Sequence, residues 1–305
     1  MSRRHLSGAL QAAAAVAVLG YLLHSFGTGP FAAALPVLTW WSVPAAVLLG
    51  FVGTLIQAQR WRLVSRGFGM ELTVPMALRG CYEASFLNAV LPGGLAGDAV
   101  RTAQQRSRHS SGWARSLGSV AGERLAGTSM VFLAAALASV GTDWRWAAVA
   151  VCVAAVSGTA AGWAARRLAP RRKLLVAFSA ALGWACFAAL FVLAMLLTAP
   201  AVAGHHLLAL AALGIAGMSI PLGVGGWGPR EGVTAAAFAV FGYEASLGIT
   251  ASVAYGVLAL ASVLPGAGLL LLRRGGTLLP HRRKIELHTN VLPKNESPHG
   301  GGPCS

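Results

Sequence analysis

The sequence predicts an all-α protein that crosses a membrane several times. Three observations carry that prediction. Hydrophobic residues fill 56% of the 305 positions and charged residues only 11%, where a soluble domain carries about 25% charged residues, and the mean hydropathy is +0.65. Apolar runs rich in Ala, Leu, Val and Gly recur as far as residue 272, which is more than a cleaved leader would account for. The basic residues gather in short stretches between those runs, as they do in a multi-pass chain whose loops set its orientation.

The expected spans are residues 6–27, 36–58, 119–141, 145–165, 174–198, 203–222 and 246–272. Each is long enough to cross a hydrocarbon core of about 30 Å at 1.5 Å per residue. Segments 73–92 and 229–243 are shorter or more polar. Together they give about 7–8 spans and one or two broken or re-entrant segments. Residues 1–275 form the membrane domain. The remainder, 276–305, is expected to be a disordered basic cytoplasmic tail, because it is poor in apolar residues and rich in Pro, Gly, Lys and Arg.

Orientation follows from charge. The net charge is +15, which in a soluble chain would suggest nucleic acid. Here it reads as a topology signal and an attraction to anionic lipid, so no nucleic-acid partner is expected. Arg3 and Arg4, the run Arg60, Arg62 and Arg66, the loop 101–115, the loop 166–173 and the tail can all lie on one side; Arg145 alone falls in an opposite loop. The expected location is therefore a cell (inner) membrane, with both termini cytoplasmic. With 60–66 and 101–115 on the same side, segment 73–92 enters and returns as a hairpin broken at Pro92, Gly93 and Gly94. The pair 203–222 and 229–243 breaks between Pro221 and Pro229, as two crossings or as a second hairpin entering from the opposite side. Backbone that leaves the helix at membrane depth survives only inside protein or against a wet cavity. Paired broken helices of opposite entry are a device of transport proteins.

The acids sharpen this picture, because only nine Asp and Glu exist. Glu83, Asp98, Glu123 and Glu231 lie in or beside apolar segments, where an ionised group needs a partner or water. Arg79 and Glu83 can pair at i,i+4, and Asp98 and Arg101 at i,i+3. Glu123–Arg124 and Arg230–Glu231 are adjacent, about 100° apart around a helix, so each residue is expected to meet a different neighbour. The arginines Arg101, Arg124 and Arg230 suit a lipid phosphate, since a guanidinium meets phosphate in a fork. Asp98, Glu123 and Glu231 would hold those arginines or meet a cationic headgroup; the bland reading is a set of ion pairs that lock helices together.

Other features carry less. Cys81, Cys152, Cys186 and Cys304 show no metal spacing. His205 and His206 stand at an outer helix end, and Trp40, Trp41, Trp144 and Trp146 read as an interfacial belt. No ATP-binding, zinc-protease or serine-hydrolase motif occurs, and no metal or cofactor is expected.

The set N-x-x-L-P-G-G-x-x-G-D-x-x-R from Asn88 to Arg101, Glu123–Arg124, and P-x-G-x-G-G-x-G-x-R-E from Pro221 to Glu231 resembles the lysylphosphatidylglycerol synthase/flippase-like membrane family over roughly residues 5–275. The resemblance implies a flippase-like domain that moves an anionic or aminoacylated phospholipid between leaflets. In well-known members a separate cytosolic domain makes that lipid, and this sequence carries only the membrane part. The resemblance thus supports translocation over synthesis and leaves open a separate synthase partner. It points to Asn88, Pro92, Gly93, Gly94, Gly97, Asp98, Arg101, Glu123, Arg124, Gly225, Gly226, Gly228, Arg230 and Glu231, with Pro221 at the second break. The expected function is a lipid translocase rather than an enzyme. Two other readings stay open: a membrane-embedded lipid-modifying transferase with Asp98 as base, and a structural or partner-binding subunit.

Overall fold

The computed structural model describes residues 29–91, 93–109, 112–140, 144–220 and 225–271. The expected first span 6–27, the tail 276–305 and the prolines Pro92 and Pro221 lie outside the described residues. The described chain is all helix and turn, without strands: α1 Gly29–Ala34, a 3-10 turn Leu35–Val37, α2 Ser42–Gly67, α3 Val74–Val90, α4 Ala96–His109, α5 Trp113–Ala138, α6 Trp144–Ala164, α7 Pro170–Thr198, α8 Gly204–Met218, α9 Pro229–Val240 and α10 Ala245–Leu271. Among the described residues five helices, α2, α5, α6, α7 and α10, are long and apolar enough to cross a membrane.

Several sequence expectations need correction. The second span does not run over 36–58. Pro36 sits in the 3-10 turn, and Thr39 and Ser42 then exchange side-chain–backbone hydrogen bonds of 3.0 and 3.2 Å that start α2 at Ser42. At its other end α2 continues to Gly67, so Arg60, Arg62 and Arg66 belong to a helix and not to a loop. Residues 101–115 are not a loop either, since α4 runs to His109 and buries Arg101, Thr102 and Gln105 along one face. The helix within segment 203–222 is shorter than the segment: α8 has 15 residues and stops at Met218, about 22 Å of helix.

The helix ends sort into two faces. On the first, a cleft of about 460 Å³ is lined by Arg66, Gly69, Glu71 and Arg172, and Phe68 lies over Gly118; this gathers the end of α2 with the starts of α5 and α7. On the second, a cavity of about 630 Å³ is lined by Leu137, Val140, His205, His206, Phe241 and Gly242 among others, which gathers the end of α5, the start of α8 and the end of α9. Helices α3 and α4 form an antiparallel hairpin. Its first limb follows α2 and its second precedes α5, so both ends belong to the first face. Helices α8 and α9 form a second hairpin with both ends on the second face.

The most buried of the five span-length helices, α10, aligns the two hairpins. Arg79 of α3 donates to the Leu269 carbonyl at 3.2 Å, and the Gly266 backbone touches the Tyr82 carbonyl without room for a side chain. At the other end of α10, Gly248 lies against Thr234 and Phe238 of α9. Thus α3 follows the C-terminal part of α10 and α9 its N-terminal part. The second break lies beside Gly256, the twelfth of the 27 residues of α10, where Trp227 and Arg230 crowd it, and its Gly225 touches Ala89 in the last turn of α3. The apolar core behind them includes Phe191 and Tyr255, stacked at 4.7 Å, with Phe238, Leu210, Ile215 and Leu258.

Candidate functional site

Glycine makes both breaks. Gly93 and Gly94 have φ of +79° and +60°, and Gly225, Gly226 and Gly228 have +58°, +82° and +96°, a region that costs residues with a Cβ. Close approach adds a second demand. A Cβ on Gly225 would strike the Ala89 carbonyl, and one on Gly97 would strike that of Ala84. The tip of the second hairpin therefore rests directly on the last turn of α3.

Five charged side chains form one chain beside the first break. Glu123 of α5 is buried, at 1% exposure, and accepts two hydrogen bonds from Arg60 of α2, from Nε at 3.0 Å and Nη2 at 2.5 Å. Its other oxygen accepts from Arg101 Nη2 at 2.9 Å. Arg101 is buried as well and lies 4.1 Å over the Trp61 ring, and its Nη1 approaches Asp98 at 3.6 Å. Asp98 in turn pairs with Arg124 Nη1, while Arg124 Nη2 donates to the Gly94 carbonyl at 3.2 Å. Asn88 ties the two limbs together: its Oδ1 accepts the Gly97 N–H at 2.7 Å and its Nδ2 reaches Asp98 at 3.4 Å. Three arginines against two acids leave one net positive charge. The exposed end of the chain is Arg124, whose side chain is 44% accessible against 1% for Arg101 and 8% for Arg60.

The second break carries a separate cluster. Glu231 Oε2 accepts the Gly228 N–H at 2.6 Å, which caps α9. Its Oε1 takes Arg230 Nη2 at 2.7 Å and the Ser252 hydroxyl at 2.9 Å, and Arg230 Nε also donates to that hydroxyl at 2.9 Å. The guanidinium lies 4.6 Å from the Trp227 ring and 5.2 Å from that of Tyr255. Both Arg230 and Glu231 are 1% exposed. The adjacent pair Arg230–Glu231 therefore does not point to different neighbours as its spacing suggested. Glu231 folds back to cap its own helix, and the long arginine side chain curls round to meet it. The adjacent pair Glu123–Arg124 does diverge, into the interior and toward the first break.

The structure thus gathers Asn88, Asp98, Arg101, Glu123 and Arg124 around Gly93, Gly94 and Gly97, and Arg230 and Glu231 around Gly225, Gly226 and Gly228. The predicted pairs Arg79–Glu83, at 2.7 Å, and Asp98–Arg101 both form. Sequence reasoning missed Arg60, which it assigned to a loop. Trp61 and Val64 continue the apolar helical spacing beyond Arg60 and would have kept it inside the helix. Ser252 gave no signal, being one hydroxyl in an apolar run. Among the described residues no group of His, Cys, Asp and Glu gathers as metal ligands do.

The arrangement of two glycine breaks with an arginine–carboxylate cluster at each coincides with the match to a family model. Residues 8–266 match the model described as the lysylphosphatidylglycerol synthase TM region. The chain belongs to this family. No curated protein and no solved structure matches the chain. As a member of the lysylphosphatidylglycerol synthase membrane-region family with five span-length apolar helices, it is a multi-pass membrane protein of a family concerned with phospholipid handling.

Proposed function

We propose that the chain moves a phospholipid between leaflets, with α3–α4 and α8–α9 as two re-entrant hairpins that enter from opposite faces. The observation that carries this reading is the contact of the second break, at Gly225, with Ala89 in the last turn of α3, next to a first break held by Arg124, the exposed end of a cluster with one net positive charge. Two long helices support a tip at membrane depth. Arg124, which holds the Gly94 carbonyl, is the twelfth of the 26 residues of α5, and Gly256 is the twelfth of 27 in α10. Each is about 17 Å from the start of its helix at 1.5 Å per residue. The limbs themselves have 17, 14, 15 and 12 residues, or about 18–26 Å, too short to cross alone.

The lipid tails stay in the bilayer while the phosphate meets Arg124, whose fork suits it. Arg101 and Arg230 are already engaged by carboxylates, so they hold the breaks in shape. The substrate is an anionic or aminoacylated phospholipid, and a separate synthase is a partner consistent with it. The face bearing Arg66, Arg166, Arg167, Arg171, Arg172 and Lys173 is cytoplasmic. The transferase reading is less well supported, because the Asp98 carboxylate is engaged by Arg101, Arg124 and Asn88 where a general base needs to be free to meet its proton.

The test is lipid exchange in proteoliposomes. The purified chain is reconstituted with fluorescent phosphatidylglycerol, an aminoacylated form or a neutral lipid, and a membrane-impermeant quencher reads outer-leaflet exposure. Exchange faster than in empty vesicles, lost in Arg124→Ala at equal folded content, is the expected result. Exchange no faster than in empty vesicles for every lipid, with an imposed ion gradient, overturns the reading.

A further inference from the structure

The exposed Arg124 spends its fork on the first break. One amine pairs with Asp98 in the first turn of α4, and the other donates to the carbonyl of Gly94 in the break itself. Both bonds run from α5 to the same short segment. The Asp98 carboxylate has the charge and the two-oxygen geometry that a lipid phosphodiester would bring to that guanidinium. We propose that Asp98 is a resident stand-in for the lipid phosphate: a phosphate that takes the Arg124 fork displaces Asp98 and Gly94 together, and so unlatches the first break from α5. This rests on the translocase reading and adds to it a coupling between headgroup binding and opening.

The geometry makes the exchange an easy one. Asp98 keeps Arg101 at 3.6 Å and Asn88 at 3.4 Å when Arg124 leaves, so no carboxylate is stranded without a partner. Arg124 is the accessible partner of the pair, with a side chain 44% accessible against 13% for Asp98. A phosphodiester offers two unesterified oxygens that can reach both amines of the fork at once. Displacement of both protein bonds then follows from one binding event. The buried part of the cluster, Arg60–Glu123–Arg101, is untouched and remains the fixed anchor. Gly94 at φ +60° lets its carbonyl leave Arg124 by local backbone rotation.

The experiment compares the full chain with Asp98→Asn and Arg124→Ala in detergent without phosphate. Binding of dihexanoyl phosphatidylglycerol and of inorganic phosphate is measured by tryptophan fluorescence, and lipid exchange is measured in parallel in proteoliposomes. If Asp98 is a stand-in, Asp98→Asn binds the short-chain lipid about tenfold more tightly, a difference of about 1.4 kcal/mol, and exchanges long-chain lipid without further dependence on the headgroup. Arg124→Ala binds neither probe. Equal tightening for inorganic phosphate places the recognition in the phosphate alone, whereas tightening confined to the lipid assigns it to the headgroup with its glycerol; either supports the exchange. Binding by Asp98→Asn that is unchanged, or weakened to the level of Arg124→Ala at equal folded content, overturns the proposal and leaves Asp98 as a residue that positions Arg124. If the unaltered chain moves no lipid but Asp98→Asn still binds more tightly, the translocase reading fails and the exchange at Arg124 stands.

Discussion

Glu123→Gln tests the anchor of the site. The carboxylate is 1% exposed and stands between two guanidiniums, Arg60 and Arg101, whose side chains are 8% and 1% exposed. Glutamine keeps one acceptor oxygen and the shape but removes the charge. That oxygen can serve Arg60 or Arg101 but not both, the amide NH2 faces the other guanidinium, and neither arginine keeps a counter-charge at position 123; beyond it Arg60 has the Ser179 carbonyl at 3.3 Å, and Arg101 the 3.6 Å contact with Asp98 and the Trp61 ring. Removing one partner of a buried ion pair costs about 3–5 kcal/mol, and here one anion serves two cations. Arg60→Met should cost less, about 1–3 kcal/mol, because Glu123 keeps Arg101. In the double variant the charge stranded by Glu123→Gln at Arg60 is absent. The double should therefore cost less than the sum of the singles, by about 1 kcal/mol or more. The assay is equilibrium unfolding in mixed micelles followed by circular dichroism, with both single variants and the double in one cycle. A Glu123→Gln cost below about 0.5 kcal/mol, or strict additivity, refutes the account of Glu123 as the shared counter-ion.

Two further predictions concern the second hairpin. Gly225→Ala meets both a φ of +58° and the Ala89 carbonyl, so it should destabilise by at least about 1–2 kcal/mol. Gly232→Ala, in an exposed helical position with open space around it, should be neutral or slightly stabilising; unfolding in the same micelles separates the two. Arg230→Lys loses the planar fork that serves Glu231 and Ser252 between two aromatic rings. A loss of about 1.5–3 kcal/mol, with a changed tryptophan emission from Trp227, is the expected result.

What the sequence revealed and what it hid follow from the range of each signal. Long apolar runs need no tertiary partner to be visible, so α5, α6, α7 and α10 fall close to their expected positions. The glycines of both breaks were legible because a positive φ is a local demand that few other residues meet. Helix ends were harder. Arginines at 60–66 and 101–108 read as loop charges, and only the fold shows Arg60 and Arg101 turned inward onto a glutamate at position 123. That pairing spans 63 residues for Arg60, beyond the reach of any helical period. The curl of Arg230 onto its own neighbour was hidden for the opposite reason: ideal helical spacing holds within a helix, and this pair stands in the first turn, where Glu231 bends back to the cap.

The second limbs of the two hairpins begin alike and end differently. Asp98 and Glu231 each occupy the third residue of their helix, α4 and α9, where the free N–H groups and the dipole favour negative charge. Glutamate is long enough to return to the Gly228 N–H and to hold Arg230 inside the same hairpin. Aspartate is one methylene shorter. It turns instead to Arg124 on α5 and leaves the Gly97 N–H to Asn88. The second break is therefore closed by buried bonds within its own hairpin and to Ser252 of α10. The first is fastened to its neighbour through Arg124, whose side chain is 44% accessible against 2% for Arg230. If one tip opens more readily, it is the first. Amide hydrogen exchange should then be faster for residues 93–97 than for 225–228, and Arg124→Ala should speed only the former. Faster exchange at 225–228 would place the moving part in the second hairpin and leave Arg124 as a static contact.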